Sequence, residues 1–406
     1  MGSRVAAALR YYTGLGRDAR LLILARAISL FPVGFVSVIE TVYLTRIGYE
    51  PTAIGLLLTL SGLAGSMVAL PFGILADRYG RRRLVLLGIA ATSGGLVAFV
   101  VTTEYLWLVV GGALHGVGYG MFFPAWGALM AEKTSEGKRN IAFSVSSFVQ
   151  TLVLTGSSFL GALPDWLRRS YSVELGDSYR VLFLVGVIIT TTAALPALLI
   201  RDTASARHLT FLPHRSWPVL RRMTVVQAFI GFGAGFIIPL FPLWFFLAFR
   251  LDEAVLGPLF AVANAATAFS FLFAPRLAEV LGTVRSIVTT NGVATALLVT
   301  IPFATDYVAV AALFIVRQFL MNMSDPVLTA YTLSLVDPAE RATVAGVTGA
   351  AWSIPNAISP TLGGYFMERI YLHLPFFVCG AFYAGAVVAL QRFFGRRPSS
   401  RQTPIA

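Results

Sequence analysis

The chain has 406 residues, of which 57% are hydrophobic and only 12% charged, and its mean hydropathy is +0.77. A soluble domain of this length needs many more charges to cover its surface, so a single large water-soluble core is excluded. The formal net charge of +12 would suit nucleic-acid binding, but the arginines and lysines fall in short segments between long apolar runs, which excludes that class too.

In chain order, the opening segment MGSRVAAALRYYTGLGRDAR lacks an apolar stretch followed by a small-residue cleavage site. It reads as an uncleaved basic lead-in lying on a membrane surface. Twelve apolar stretches then predict helices long enough to cross a bilayer, near 21–46, 52–76, 83–103, 105–132, 139–163, 179–200, 219–248, 254–275, 285–304, 307–334, 341–366 and 372–394. Polar turns such as RIGYEP, TSEGKR and DPAER separate them. A basic segment over 201–218 divides an N-terminal unit, 1–200, from a C-terminal unit, 219–406. The one cysteine, Cys379, sits inside the last stretch, so no intramolecular disulfide is possible.

Sorting the 31 lysines and arginines by side places 23 with the two termini and six opposite: Arg46, Arg168, Arg169, Arg180, Arg250 and Arg369. The positive-inside rule therefore predicts cytoplasmic termini and an inner (plasma) membrane location. Arg26 and Arg317 remain inside spans.

The two units repeat. At a constant offset of 202 residues, Gly55 meets Gly257, Asp77 meets Glu279, Gly80 meets Gly282, Arg83 meets Arg285, Pro124 meets Pro326 and Arg139 meets Arg341. Matched charges at one offset predict two structurally equivalent six-helix bundles, a plan that places a ligand site near the midplane where the bundles meet.

Ionisable residues inside spans are costly and point to function. Arg26 and Glu40 share one face of helix one with Ser29 and Ser37, by their three- and four-residue spacing; Arg26 lies near the cytoplasmic end, where snorkelling to the interface is the competing reading. His115 in helix four and Arg317 in helix ten are repeat-mates, and Asp325 follows in helix ten. A carboxyl in an apolar site favours its neutral form, which makes Glu40 the first candidate proton carrier, with His115 and Asp325 beside it. A static pair between Glu40 and an arginine is the competing reading. Arg317 stays cationic and needs an acid, a carbonyl or an anionic substrate. Gln150, Asn322 and Asn356 are candidate cavity-lining polar groups, and Tyr43, Tyr119, Trp126 and Trp352 candidate aromatic walls. Interhelical packing is the alternative for each.

Between helices two and three lies GILADRYGRRR, with one acid and four arginines from Asp77 to Arg83. It resembles the signature loop of the major facilitator superfamily, matched at Gly73, Leu75, Asp77, Arg78, Gly80, Arg81 and Arg82. A degenerate echo, PRLAEVLGTVR, lies between helices eight and nine. The resemblance implies an all-α membrane protein with twelve helices in two pseudo-symmetric bundles, no enzyme activity and no cofactor. It also implies a gate latch in which Asp77 meets the start of helix eleven, near Arg341, and Arg81 pairs with Glu132. The family's helix-five exporter motif is broken here, with Ser157 in the proline position, and Gly112 stands where an arginine is usual.

No nucleotide-binding loop and no Cys/His metal cluster appear, so the expected partners are a small molecule, protons and lipid, with the protein a monomer. The expected activity is secondary transport by alternating access, as proton-coupled export of drugs or other small molecules. Proton-coupled import of a small organic anion or polar nutrient remains open, as does a non-transporting membrane receptor.

Overall fold

The computed structural model describes residues 14–201, 215–337 and 340–395; the side chains of residues 70, 73–79, 136, 137, 140 and 342 are also outside the description. Among the described residues the twelve long helices are α1 (Arg17–Arg46), α2 (Pro51–Tyr79), α3 (Arg81–Val101), α4 (Tyr105–Glu132), α5 (Glu136–Ser158), α6 (Leu175–Thr192), α7 (Trp217–Ile237), α8 (Glu253–Leu281), α9 (Thr283–Thr300), α10 (Tyr307–Ser334), α11 (Arg341–Arg369) and α12 (Leu374–Phe394). Among the described residues, eleven helical stretches are long and apolar enough to cross a membrane, and α11, at 29 residues, packs among them against α2 and α7.

Two spans are interrupted by a tight turn, and one of them, that of α5, runs longer than the apolar pattern predicts. Beyond Ser158, α5 passes through one tight turn into a short helix, Leu163–Tyr171. That segment is amphipathic rather than apolar, with Pro164 in its first turn and Asp165 paired to Arg168 and Arg169 at 2.7 Å each. The span of α7 likewise continues through Ile238–Leu240 into Phe241–Phe249. At the start of α7, Glu340 accepts hydrogen bonds from the backbone N–H groups of Arg215 and Ser216, which ties the linker's end to the entry of α11. An acid at a helix N-terminus is favourably placed toward the dipole.

The repeat is visible in backbone geometry. Gly80 and Gly282, 202 residues apart, both have positive φ, 96° and 82°, at the turn into α3 and into α9. Only glycine adopts this conformation without strain. Gly55 of α2 lies against the Pro360 carbonyl of α11; its repeat-mate Gly257 of α8 lies against the carbonyl of Ser158, the repeat-mate of Pro360. The two crossings that join the halves are therefore built alike.

The core shows how the halves sit. We call the face at which α1 begins and α12 ends the near face, and its opposite the far face. On the far side one apolar cluster runs through both halves, from Phe35, Ile39 and Val42 of α1 through Phe183 of α6 to Phe241, Trp244 and Phe245 beyond α7 and Phe314 of α10. On the near side the core is split. Leu22, Trp126 and Ile200 belong to a cluster of the N-terminal half, and Met223, Ile287 and Leu390 to a cluster of the C-terminal half. Residues 345–347, 349 and 350 of α11 and 271–273, 275 and 276 of α8 are exposed around most of the helix circumference. The molecule is closed on its far face and splayed on its near face.

Candidate functional site

The far-face closure is the most heavily bonded junction between the halves. Arg46, at the end of α1, donates to Asp252 at 2.7 Å and to Glu253 at 2.9 Å, at the start of α8. Glu253 is 1% exposed and also accepts from the hydroxyl of Tyr179 in α6. The Arg46 guanidinium lies 5.0 Å from the Phe246 ring. Across the other crossing, Glu368 of α11 accepts from the Thr52 backbone N–H at 3.1 Å, and Thr59 of α2 meets Thr361 of α11 at 2.8 Å. Deeper, Asn264 of α8 donates to Ser158 of α5 at 3.1 Å.

Below this closure, α1 and α4 form one wall of the near-face cleft. His115, Tyr119 and Phe123, spaced four residues apart, share one face of α4. Tyr119 stacks on Phe123 with centroids 5.7 Å apart and meets His115 edge-on at 4.8 Å. Glu40 of α1 is half-buried and close enough to Tyr119 to act on it electrostatically. Among the described residues no cation lies within ion-pair distance of Glu40. At the near end Arg26 donates to the Gln150 side chain of α5, and its guanidinium lies 4.1 Å from the Trp126 ring and 5.5 Å from Phe123. Trp126 is buried and fixed by donation to the Leu22 carbonyl at 2.9 Å. Ser37 is exposed on the Arg26–Glu40 face of α1 and donates to the Gly34 carbonyl.

Arg26, Gln150 and Trp126 are thus brought into contact, with Phe123 added; Tyr119 and His115 continue the row from Phe123, while Ser37 and Glu40 lie further along α1. Tyr43 is not among them: it is buried in the N-terminal half against Tyr179 and Phe183, because its position on α1 turns toward α6. Arg317 is 1% exposed inside the C-terminal half, where it donates to Gln318 at 2.9 Å and lies 5.6 Å from the Phe241 ring. The repeat register alone placed it opposite His115; packing between the α7 span and α12 draws its side chain inward, away from the cleft. Asn322 donates to the Gln318 carbonyl, with Thr267 of α8 at 3.4 Å. Asn356 reaches the Gly231 carbonyl at 3.3 Å, linking α11 to α7, and Trp352 is 40% exposed. Asp325 is exposed.

At the near face Arg81 pairs with Glu132 at 3.1 Å and also donates to the Ala128 carbonyl, so this contact ties α3 to α4 within one half. Arg341 is exposed and donates to the Leu333 carbonyl. The expected roles of Gly73, Asp77 and Arg78 fall on side chains outside the described residues. Among the described residues no group of three or more His, Cys, Asp or Glu side chains is arranged to hold a metal ion.

Sequence reasoning passed over Arg46, Asp252, Glu253 and Tyr179. Arg46 was counted only for orientation; an arginine ending one span and two acids opening another were the available signal. Phe123 was hidden in a chain that contains 31 phenylalanines.

Comparison with known proteins agrees with this architecture. The sequence profile of the Major Facilitator Superfamily matches residues 22–224 and again 223–406, once for each half. The inner membrane transport protein YajR of Escherichia coli is 26% identical over 48% of this chain, a match that spans only 38% of that relative's length. The quinolone resistance protein NorA of Staphylococcus aureus is 20% identical over 88% of this chain and 92% of its own. A bacterial homolog of the human lysosomal transporter Spinster, solved inward-facing and unoccupied, superposes with a TM-score of 0.74 over 95% of this chain and 98% of its own, at 14% identity. The chain is a multi-pass membrane protein of the major facilitator superfamily.

Proposed function

We propose that the protein is a secondary active transporter that exports small molecules by alternating access, driven by proton entry, from a membrane in which the near face is cytoplasmic. The observation that carries this reading is the split core: one apolar cluster spans both halves on the far side, while each half keeps its own on the near side, over a polar and aromatic wall. Rocking the halves about the α2–α11 and α5–α8 crossings would close the near side and open the far side. The excess of cations on the near side supports the orientation. Export is supported by the likeness to a protein named for quinolone resistance.

Glu40 is the proposed proton carrier. It stands on α1 inside the membrane span with no cation beside it among the described residues, and an ionisable side chain at such a place points to function. Glu40→Gln mimics the protonated state at almost unchanged shape. In proteoliposomes it should keep downhill exchange and lose acceleration by a pH gradient. Full gradient-driven transport by this variant would remove the role. At the near face, Asp77 is proposed to latch the closed state against the start of α11, with the Arg81–Glu132 pair holding its loop to α4; an Arg81→Ala protein that turns over at the wild-type rate would remove that supporting role.

A further inference from the structure

We propose that the near end of the α1–α4 wall is an anion subsite, built on Arg26, and that the substrate is an aromatic monoanion of the carboxylate type. The inference rests on the cleft being the substrate route, as proposed above. Its starting point is an unbalanced charge. Arg26 lies inside a membrane span, yet among the described residues no carboxylate lies within ion-pair distance of it, and its Nε–H has no hydrogen-bond partner. Among the described residues its one polar side-chain contact is the neutral amide of Gln150. A half-buried full charge calls for a counter-charge, and a neutral amide does not supply one.

The surroundings orient the guanidinium for a ligand. Trp126 at 4.1 Å and Phe123 at 5.5 Å provide ring faces for it, and Gln150 holds one Nη. An arginine fixed in this way presents a planar fork that matches a carboxylate, and little side-chain entropy remains to be lost on binding. From Phe123 the wall continues through stacked Tyr119 to His115, so a ring attached to that carboxylate meets aromatic faces for two helical turns. Glu40, fourteen residues beyond Arg26, stands roughly 21 Å further along α1 at 1.5 Å per residue, far enough not to repel the bound anion strongly. A cationic substrate would face Arg26 at the mouth of the cleft before reaching Glu40; an anionic one is met by the complementary charge. Arg317, the other arginine inside a span, is 1% exposed within its own half and offers no competing site in the cleft.

The test uses three probes of one shape on the purified full-length protein in detergent: 2-naphthoate, neutral 2-naphthamide and 2-naphthylmethylammonium. Binding is measured by calorimetry, with the melting temperature of each variant followed in parallel. Wild type should bind naphthoate at least tenfold more tightly than naphthamide and the ammonium probe least well. Arg26→Gln should abolish the preference for naphthoate over naphthamide, while Arg26→Lys should retain part of it. Gln150→Glu, which gives Arg26 an internal counter-charge, should abolish it too while leaving naphthamide binding in place. Equal binding of naphthoate and naphthamide by wild type, no binding of any probe, or an unchanged preference in folded Arg26→Gln would each overturn the proposal. If neither Arg26→Gln nor Gln150→Glu folds, the wild-type ranking decides alone. Proteoliposome flux separates this inference from the transport reading. Naphthoate that binds selectively but never crosses supports the subsite and counts against transport; movement of the neutral or cationic probe in preference to naphthoate supports transport and overturns the subsite.

Discussion

The far and near faces use the same repeat to opposite ends. At the far face, repeat-mates Gly55 and Gly257 let α2 meet α11 and α8 meet α5 at backbone contact distance, and an apolar cluster seals the junction. At the near face the corresponding helices are exposed and the cores are separate. Symmetry accounts for the glycine crossings but not for the ion cluster. The repeat-mate of Arg46 is Ala248, and those of Asp252 and Glu253 are Glu50 and Pro51, so the Arg46 lock exists at one crossing only. The closed far face is held by a symmetric apolar seal plus one asymmetric electrostatic contact, and the two can be broken separately.

Breaking the electrostatic contact should have the largest effect. Arg46→Ala leaves the Glu253 carboxylate buried beside Tyr179 without its cation, and removing one partner of a buried pair costs about 3–5 kcal/mol. Opening the far face relieves that cost by letting water reach Glu253. In a Cys379→Ser background, a Thr59→Cys site should then react at least tenfold faster with a membrane-impermeant thiol reagent added from the far side. Unchanged reactivity would mean that the lock does not hold the closure.

The apolar seal comes next. Gly257→Leu places a side chain where Ser158 and Ala162 already stand, and overpacking of this kind costs about 1–3 kcal/mol. Transport should fall while the protein still inserts, and the same change at Gly292, where a side chain meets open space, should be nearly silent. Equal loss from both would show general destabilisation instead of a blocked crossing.

The smallest expected effect lies in the turn before α12. His373 accepts a hydrogen bond from the Trp244 indole N–H at 3.0 Å, and burial pushes its pKa below the ordinary imidazole value. The neutral form is therefore favoured in the folded protein. Its contribution is fully present above about pH 6.5 and is lost as the pH falls below that value. Thermal stability should decline from pH 7 to pH 5, and His373→Asn should make the decline shallower. An identical slope in wild type and variant would exclude His373 as its source.

The architecture was legible in the sequence because hydropathy, the offset of 202 residues and the Gly73–Arg82 loop each report on long-range order through local residues. The wall was legible in part. Arg26, Glu40, His115 and Tyr119 could be grouped from helical spacing, since a three- to four-residue period fixes which residues share a face. What spacing does not fix is rotation of that face within the bundle. Tyr43 lies one turn from Glu40 yet turns toward α6, and Arg317 matches His115 in the repeat yet points into its own half. The far-face lock was illegible for another reason: Arg46 and Glu253 are 207 residues apart and meet only after both halves have formed and docked.

The central claim is that the two faces are reciprocally coupled, and two spin-label distances test it directly. One pair, Glu50→Cys with Tyr371→Cys, reports across the far face; the other, Ser144→Cys with Arg276→Cys, reports across the near face between α5 and α8. Each pair is built in the Cys379→Ser background and measured with and without Arg46→Ala. Rigid-body rocking predicts that Arg46→Ala lengthens the far-face distance and shortens the near-face distance in the same sample. Opening of the far face with the near-face distance unchanged would contradict the account, because the halves would then be loosening instead of rocking.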